Sequence, residues 1–236
     1  MLKDSLISRD PLKMIGEQAA GAIENGGFAA ILARAGVGKT ALLVQLAIYA
    51  MLNDKNILHI STENPVDKVN LWYREVFYRL TQSDATPQTE KLWNQLLHNR
   101  FIMTFETESF SVDKLEKRIS ELMASEIFKP QQIMIDGFTF ADENDTRLDG
   151  LKNFARDHQL VFWFTVRTHR DDPVAPSGIP NSFVPFSGLF DLMLQLHPDK
   201  NRVYLKRVPG ENPAETQSDS ELYLDPATML ISDAPV

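Results

Sequence analysis

The sequence predicts an α/β domain whose mostly parallel central sheet is flanked by helices and extended at its C-terminal end by antiparallel strands. Three observations predict it. From Phe28 to Val166, apolar runs too short for helices alternate with longer amphipathic stretches. The run Leu160-Val161-Phe162-Trp163-Phe164-Thr165-Val166 is almost wholly apolar, as a strand covered on both faces must be. After Pro185 the helical period disappears and short strand-like segments follow. At 236 residues the chain suits a single domain with one full core.

Residues 1–27 form a lead-in with room for at most one helix, Leu12 to Glu24. Phe28 to Ala33 reads as a buried strand. Lys39 to Asn53 follows as a helix, with Leu42, Leu43, Leu46, Ala47 and Ala50 along one stripe. Asn56 to Thr62 is the next strand, and Pro65 opens a helix through Leu71, Trp72, Val76 and Leu80. Pro87 to His98 predicts a helix, Phe101 to Phe105 a strand, and Ser111 to Phe128 an amphipathic helix. Gln132 to Asp136 is a strand ending on an acid, and Asn144 to His158 a helix. Residues 167–185 hold four prolines and little periodicity, so a long mobile loop is expected. Asp191–His197, Asn201–Val208, Glu221–Leu224 and Thr228–Ile231 then read as short strands, with a turn at Pro198-Asp199-Lys200.

Composition narrows the chemistry. The absence of cysteine excludes disulfides, zinc-thiolate sites, iron–sulfur clusters and a cysteine nucleophile. The five histidines show no metal-binding spacing, and His59, inside an apolar strand, is expected to be a packed residue. Asp142-Glu143-Asn144-Asp145 lacks the glycine and closing glutamate of a calcium loop and reads as a helix-capping loop. No apolar run reaches the ~18 residues of a membrane helix, and Met1 to Ser5 lacks a signal-peptide core. A cytoplasmic protein with no membrane partner is expected. A net charge of −8 argues against a nucleic-acid coat. In the loop, Arg167 and Arg170 are offset by Asp171 and Asp172, a poor phosphate-backbone binder.

The most informative segment is Ala33-Arg34-Ala35-Gly36-Val37-Gly38-Lys39-Thr40. It carries the Gly-Lys-Thr of a phosphate-binding loop, with alanine in place of the first glycine, between an apolar strand and an amphipathic helix. Gly36 and Gly38 permit a tight turn, and the backbone N–H groups from Ala35 to Ala41 then form an anion nest at a helix N-terminus. Lys39 would reach the β- and γ-phosphates of ATP, and Thr40 would give its hydroxyl to Mg²⁺. Asp136, at a strand end, would hold a water on Mg²⁺ or contact Thr40. Glu63, just after the strand that follows the phosphate-loop helix, would orient the attacking water. Ligands of open parallel sheets gather at the strands' carboxyl ends, so these residues should converge there. The aromatic helix face Trp72, Tyr73, Phe77 and Tyr78 is expected in the core or at a subunit contact, rather than stacked on a base.

Ile31 to Thr40 resembles the phosphate loop of RecA-like ATPases, especially the DnaB-type replicative helicases, which often carry Ala-Arg-Pro before Gly-Lys-Thr. Ser61-Thr62-Glu63 is similar to the strand-end glutamate of the DnaB and KaiC groups, and Gly188 to Leu196 to their late strand. The resemblance implies a RecA-like core, spanning roughly Phe28 to Ile231, in which rings or filaments place ATP between subunits. It implies a lysine and an arginine on the late hairpin that reach a neighbour's γ-phosphate, here Lys206 and Arg207. The family usually has Lys-x-Arg there; adjacent residues of a strand face opposite ways, so one of this pair at most can do so. Where the helicases carry a γ-phosphate-sensing glutamine, this chain has Thr165-Val166-Arg167-Thr168-His169, which leaves the task to Arg167 or His169. The expected function is a regulatory, partner-switching Mg²⁺–ATPase that binds ATP and ADP and forms a homo-oligomer or engages a protein partner. The alternative is an ATP-dependent, DNA-binding motor or loader.

Overall fold

The structure, a computed structural model, describes residues 2–16, 21–23, 26–82, 86–106, 110–140, 146–199, 202–208 and 222–233. The acidic segment 142–145 lies outside them. Among the described residues nine strands form one sheet: β1 (Gly27–Arg34), β2 (Ile57–Ser61), β3 (Arg100–Thr104), β4 (Gln132–Asp136), β5 (Val161–Thr168), β6 (Leu192–Asp199), β7 (Arg202–Val208), β8 (Leu222–Leu224) and β9 (Ile231–Asp233). Their order is β3-β2-β4-β5-β1-β6-β7-β8-β9. Pairs from β3 to β6 are parallel; β6 to β9 pair antiparallel. This is an α/β fold with a mostly parallel sheet and an antiparallel C-terminal region.

Helices cover both faces. The first holds α1 (Leu2–Ile7), α2 (Pro11–Ile15), α3 (Lys39–Leu52), α4 (Val66–Thr81) and α5 (Pro87–Leu97). The second holds α6 (Val112–Ala124), α7 (Thr146–Asp157) and the short α8 (Val184–Ser187). Strand alternation divides the core. Ala29, Ile31 and Ala33 of β1 join the first face; Phe28, Ala30 and Leu32 join the second. The second is rich in phenylalanine: Phe28 meets Phe164 edge-on at 5.0 Å, and Phe140 touches Phe164, Phe183, Phe186 and Phe190. Such ring pairs contribute about 0.5–1.5 kcal/mol each beyond the area they bury.

Local chemistry sets the boundaries. Thr86 and Ser111 cap α5 and α6 by accepting from the N–H groups of Thr89 and Lys114. Pro65 is the N-cap of α4, which begins one residue later at Val66. The helix expected to reach Phe128 stops at Ala124, because Glu126 turns to a φ of 56°. The lead-in helix expected from Leu12 to Glu24 is broken at Gly16, whose φ is 122°; residues 17–20 and 24–25 lie outside the description. α3 buries all sides rather than one stripe, since α1, α4 and α5 cover its outer surface. β6 runs to Asp199, so Pro198 and Asp199 of the predicted turn belong to the strand, and Lys200 lies outside the described residues. Thr228 closes a turn that begins at Pro226, and β9 starts at Ile231.

The proline-rich segment is anchored. β5 continues through Thr168, Val174 bridges Pro180, and Ile179, Phe183 and Phe186 are buried against the phenylalanine core. No helix among the described residues is long and apolar enough to cross a membrane.

Candidate functional site

β1 is buried along its length until Arg34 and delivers the loop 34–38 to the carboxyl edge of the sheet. The loop turns back through two left-handed glycines, Gly36 at φ 75° and Gly38 at φ 112°. Gly38 is also the N-cap of α3, and a Cβ there would lie 2.5 Å from Leu224 and 2.9 Å from Met229. The β8–β9 turn therefore packs directly on the loop. Lys39 donates from Nζ to the carbonyls of Ala33 (3.1 Å) and Arg34 (3.0 Å), closing the loop on itself.

Thr40, in the first turn of α3, donates its hydroxyl to Oδ2 of Asp136 at 2.8 Å. Thr165 of β5 donates to the other oxygen, Oδ1, at 2.8 Å, and its own oxygen accepts from the Gly137 N–H at 3.0 Å. Asp136 is 7% exposed at the end of β4. Thr62 donates to the Gly137 carbonyl at 2.8 Å, which holds the ends of β2 and β4 together. Glu63 follows β2 directly and is exposed. Gly137 gives it room: with φ at 96°, a Cβ there would stand 2.9 Å from Cγ of Glu63 and 2.4 Å from Oγ1 of Thr62.

These groups line one cavity of about 780 Å³. Its floor is the loop and its metal-type donors: Ala35, Gly36, Gly38, Lys39, Thr40, Ala41 and Asp136. Glu63 and Arg167 line it as well. One end is bounded by Trp72, Glu75, Val76 and Arg79 of α4 with Met229; the other by Phe138, Phe140, His169 and Phe183. Val37 packs partly buried against the first core instead. Lys206 and Arg207 lie elsewhere, on β7 opposite Gln195 and Leu194, and do not line the cavity.

The electrostatics reflect burial of unlike charges. Asp136 has its carboxyl pushed up by desolvation, partly offset by the hydrogen bonds from Thr165 and Thr40; Glu63 raises it further and Lys39 lowers it. Lys39 has its ammonium pushed down, first by desolvation, with Arg167 adding to the shift and Asp136 and Glu63 opposing it.

Several site residues were not anticipated from sequence. Thr165 had a usable signal, a hydroxyl inside an otherwise apolar buried strand. Gly137 had a weaker one, a glycine after a strand-end acid. Trp72 was grouped with its aromatic neighbours, but the helix separates them: Tyr73 and Phe77 are fully buried and Trp72 lines the cavity. Met229 joins by tertiary packing alone. No protein-family model matches the chain and no curated protein matches it, so the functional reading rests on the geometry of these residues.

Proposed function

We propose that the chain is a Mg²⁺-dependent ATPase with a RecA-like core, working as a regulatory, partner-switching protein. The observation that carries the reading is the chain Thr40–Asp136–Thr165 beneath a glycine-bounded loop that ends in Lys39, all in one cavity at the carboxyl edge of a parallel sheet. The loop amides and the N-terminus of α3 supply an anion site. Lys39, now held by two carbonyls, is a cation within a short swing of that site.

The donor set fits Mg²⁺. Among the described residues no group of three acidic or histidine side chains could hold a metal, but Mg²⁺ in phosphate sites takes one or two carboxylates and completes its shell with water and phosphate oxygens. Thr40 and Asp136 would hold it, and the cost of burying the Asp136 carboxylate is what a nearby cation would relieve. Bound with the nucleotide, Mg²⁺ neutralises charge on the β- and γ-phosphates. This chain's residues do the rest. Lys39 and the loop amides position the phosphates, and Glu63 orients the attacking water. Catalysis is positioning plus charge stabilisation.

The test is ATP turnover by wild type and Lys39→Ala, each with and without single-stranded DNA. Turnover that is lost in Lys39→Ala supports the reading; equal turnover in both proteins overturns it.

A further inference from the structure

We infer that Trp72 and Met229 form a slot for the nucleotide's base, and that Glu75 selects adenine there by accepting from its 6-amino group. The inference rests on the ATPase reading.

The polarity of the phosphate loop gives the nucleotide its direction. Lys39 serves the β- and γ-phosphates, and Asp136 and Glu63 line the cavity with it, so the terminal phosphate belongs at the ends of β2 and β4. Phe138 is two residues beyond Asp136, which puts the phenylalanine end of the cavity next to that phosphate. The base, at the far end of the nucleotide, takes the end bounded by α4 and Met229.

That end has two walls. Trp72, Glu75, Val76 and Arg79 follow the i, i+3, i+4, i+7 spacing, so a single face of α4 forms the first. Tyr73 and Phe77, aromatic neighbours on the same helix, turn into the core instead. Lys68 stands over the Trp72 indole, with Nζ 5.3 Å from the ring centroid, and helps to fix the ring. Met229 supplies the second wall. A Cβ on Gly38 would lie 2.9 Å from Cε of Met229, so this methyl rests on the phosphate loop. The turn before Met229 is tied internally: Asp225 accepts from the Ala227 N–H at 2.9 Å and from the Thr228 hydroxyl at 3.0 Å. Arg79 donates to the Thr228 carbonyl at 3.3 Å and so joins the two walls. An indole and a polarisable thioether suit a flat aromatic ligand.

The group that reads the base is a carboxylate. Glu75 stands 4.0 Å from Arg79, and an ionised carboxylate can only accept hydrogen bonds. Adenine offers two N–H donors at its 6-amino group; hypoxanthine carries a carbonyl oxygen at that position. The slot therefore prefers adenine.

Calorimetry on the full chain with Mg²⁺ tests this, using ADP, inosine diphosphate and inorganic pyrophosphate with wild type, Trp72→Ala, Trp72→Phe and Glu75→Gln. Wild type should bind ADP about tenfold more tightly than inosine diphosphate. Glu75→Gln, whose amide both donates and accepts, should bind the two alike. Trp72→Ala should weaken ADP about five- to 150-fold and leave pyrophosphate unchanged; Trp72→Phe should keep most of the affinity. ADP should quench the indole fluorescence of wild type and not that of Trp72→Phe, whose remaining tryptophans, Trp93 and Trp163, are buried. Equal losses for ADP and pyrophosphate in Trp72→Ala, or no loss for either, overturn the inference. So does wild type without a preference for adenine, or a preference that survives in Glu75→Gln. Wild type that binds none of the three ligands removes the ATPase reading itself.

Discussion

Asp136 is a carboxylate almost closed off from water, compensated in part by two threonine hydroxyls and the nearby charge of Lys39. Burial raises its pKa above the ordinary 3.8. A raised carboxyl stabilises the fold below the unfolded pKa and loses that contribution as pH rises through the folded one. At neutral pH the ionised group is thus a cost to the metal-free chain. Asp136→Asn should melt higher than wild type at pH 7, with the advantage vanishing in acid, and should lose Mg²⁺-dependent turnover; thermal melts across pH check the sign. Glu63→Gln should bind ATP as wild type does and lose hydrolysis, because the amide cannot take a proton from water. A wild-type rate in that variant would refute the role given to Glu63. Gly137→Ala combines a left-handed φ with clashes against Thr62 and Glu63. It should cost about 1–3 kcal/mol of stability in denaturant titration and displace Glu63.

Beneath the site, three elements share a buried polar cluster. His59 of β2 is fully buried and bonds the Tyr73 hydroxyl of α4 at 3.0 Å. Arg100 of β3 stacks over Tyr73 at 4.3 Å and also bonds Asn70. Burial, and then Arg100, push the His59 imidazole from 6.5 down to about 3. The folded chain keeps it neutral and the unfolded chain protonates it below 6.5. Its contribution is therefore present above that pH and lost as pH falls toward 3. Unfolding free energy should decline over this window with a slope of up to about 1.4 kcal/mol per pH unit from this group. His59→Gln should flatten that slope; an unchanged slope would show that other groups govern acid unfolding. The cluster ties β2, whose end carries Glu63, to α4, whose outer turns carry Trp72 and Arg79. Packing of this element and the shape of the cavity are consequently linked.

For the molecule as a whole, net charge bears on the choice between a protein and a nucleic-acid partner. The chain carries −8, and Ile179, Phe183 and Phe186 fold the proline-rich segment onto the phenylalanine core. Single-stranded DNA is expected to leave ATP turnover unchanged; several-fold stimulation would favour a motor or loader instead. Mass measured with and without ATP tests assembly. A change in mass on adding ATP supports partner switching through self-association, and a monomer in both states removes the ring idea.

Much of this was legible in the chain. Buried parallel strands must be apolar on both faces, so β1, β4 and β5 are visible as runs, and Gly-Lys-Thr between a strand and a helix is legible because the backbone can make an anion nest in few other ways. Asp136 and Glu63 could be named because strand ends are where the sheet exposes functional groups. Helix ends at Gly16 and Ala124 were harder, since a left-handed residue can interrupt a favourable pattern. What sequence alone could not decide is whatever depends on which strands are neighbours. Thr165 reaches Asp136 only because β5 lies beside β4, and Arg167 stands opposite Ala33 only because β5 also lies beside β1. Met229 rests on Gly38 because β8 and β9 fold back across α3, where the Gln45 side chain accepts from the Ile231 N–H. Local spacing determines which groups the chain presents at each strand end; strand order, set by packing the two cores, determines which of them meet.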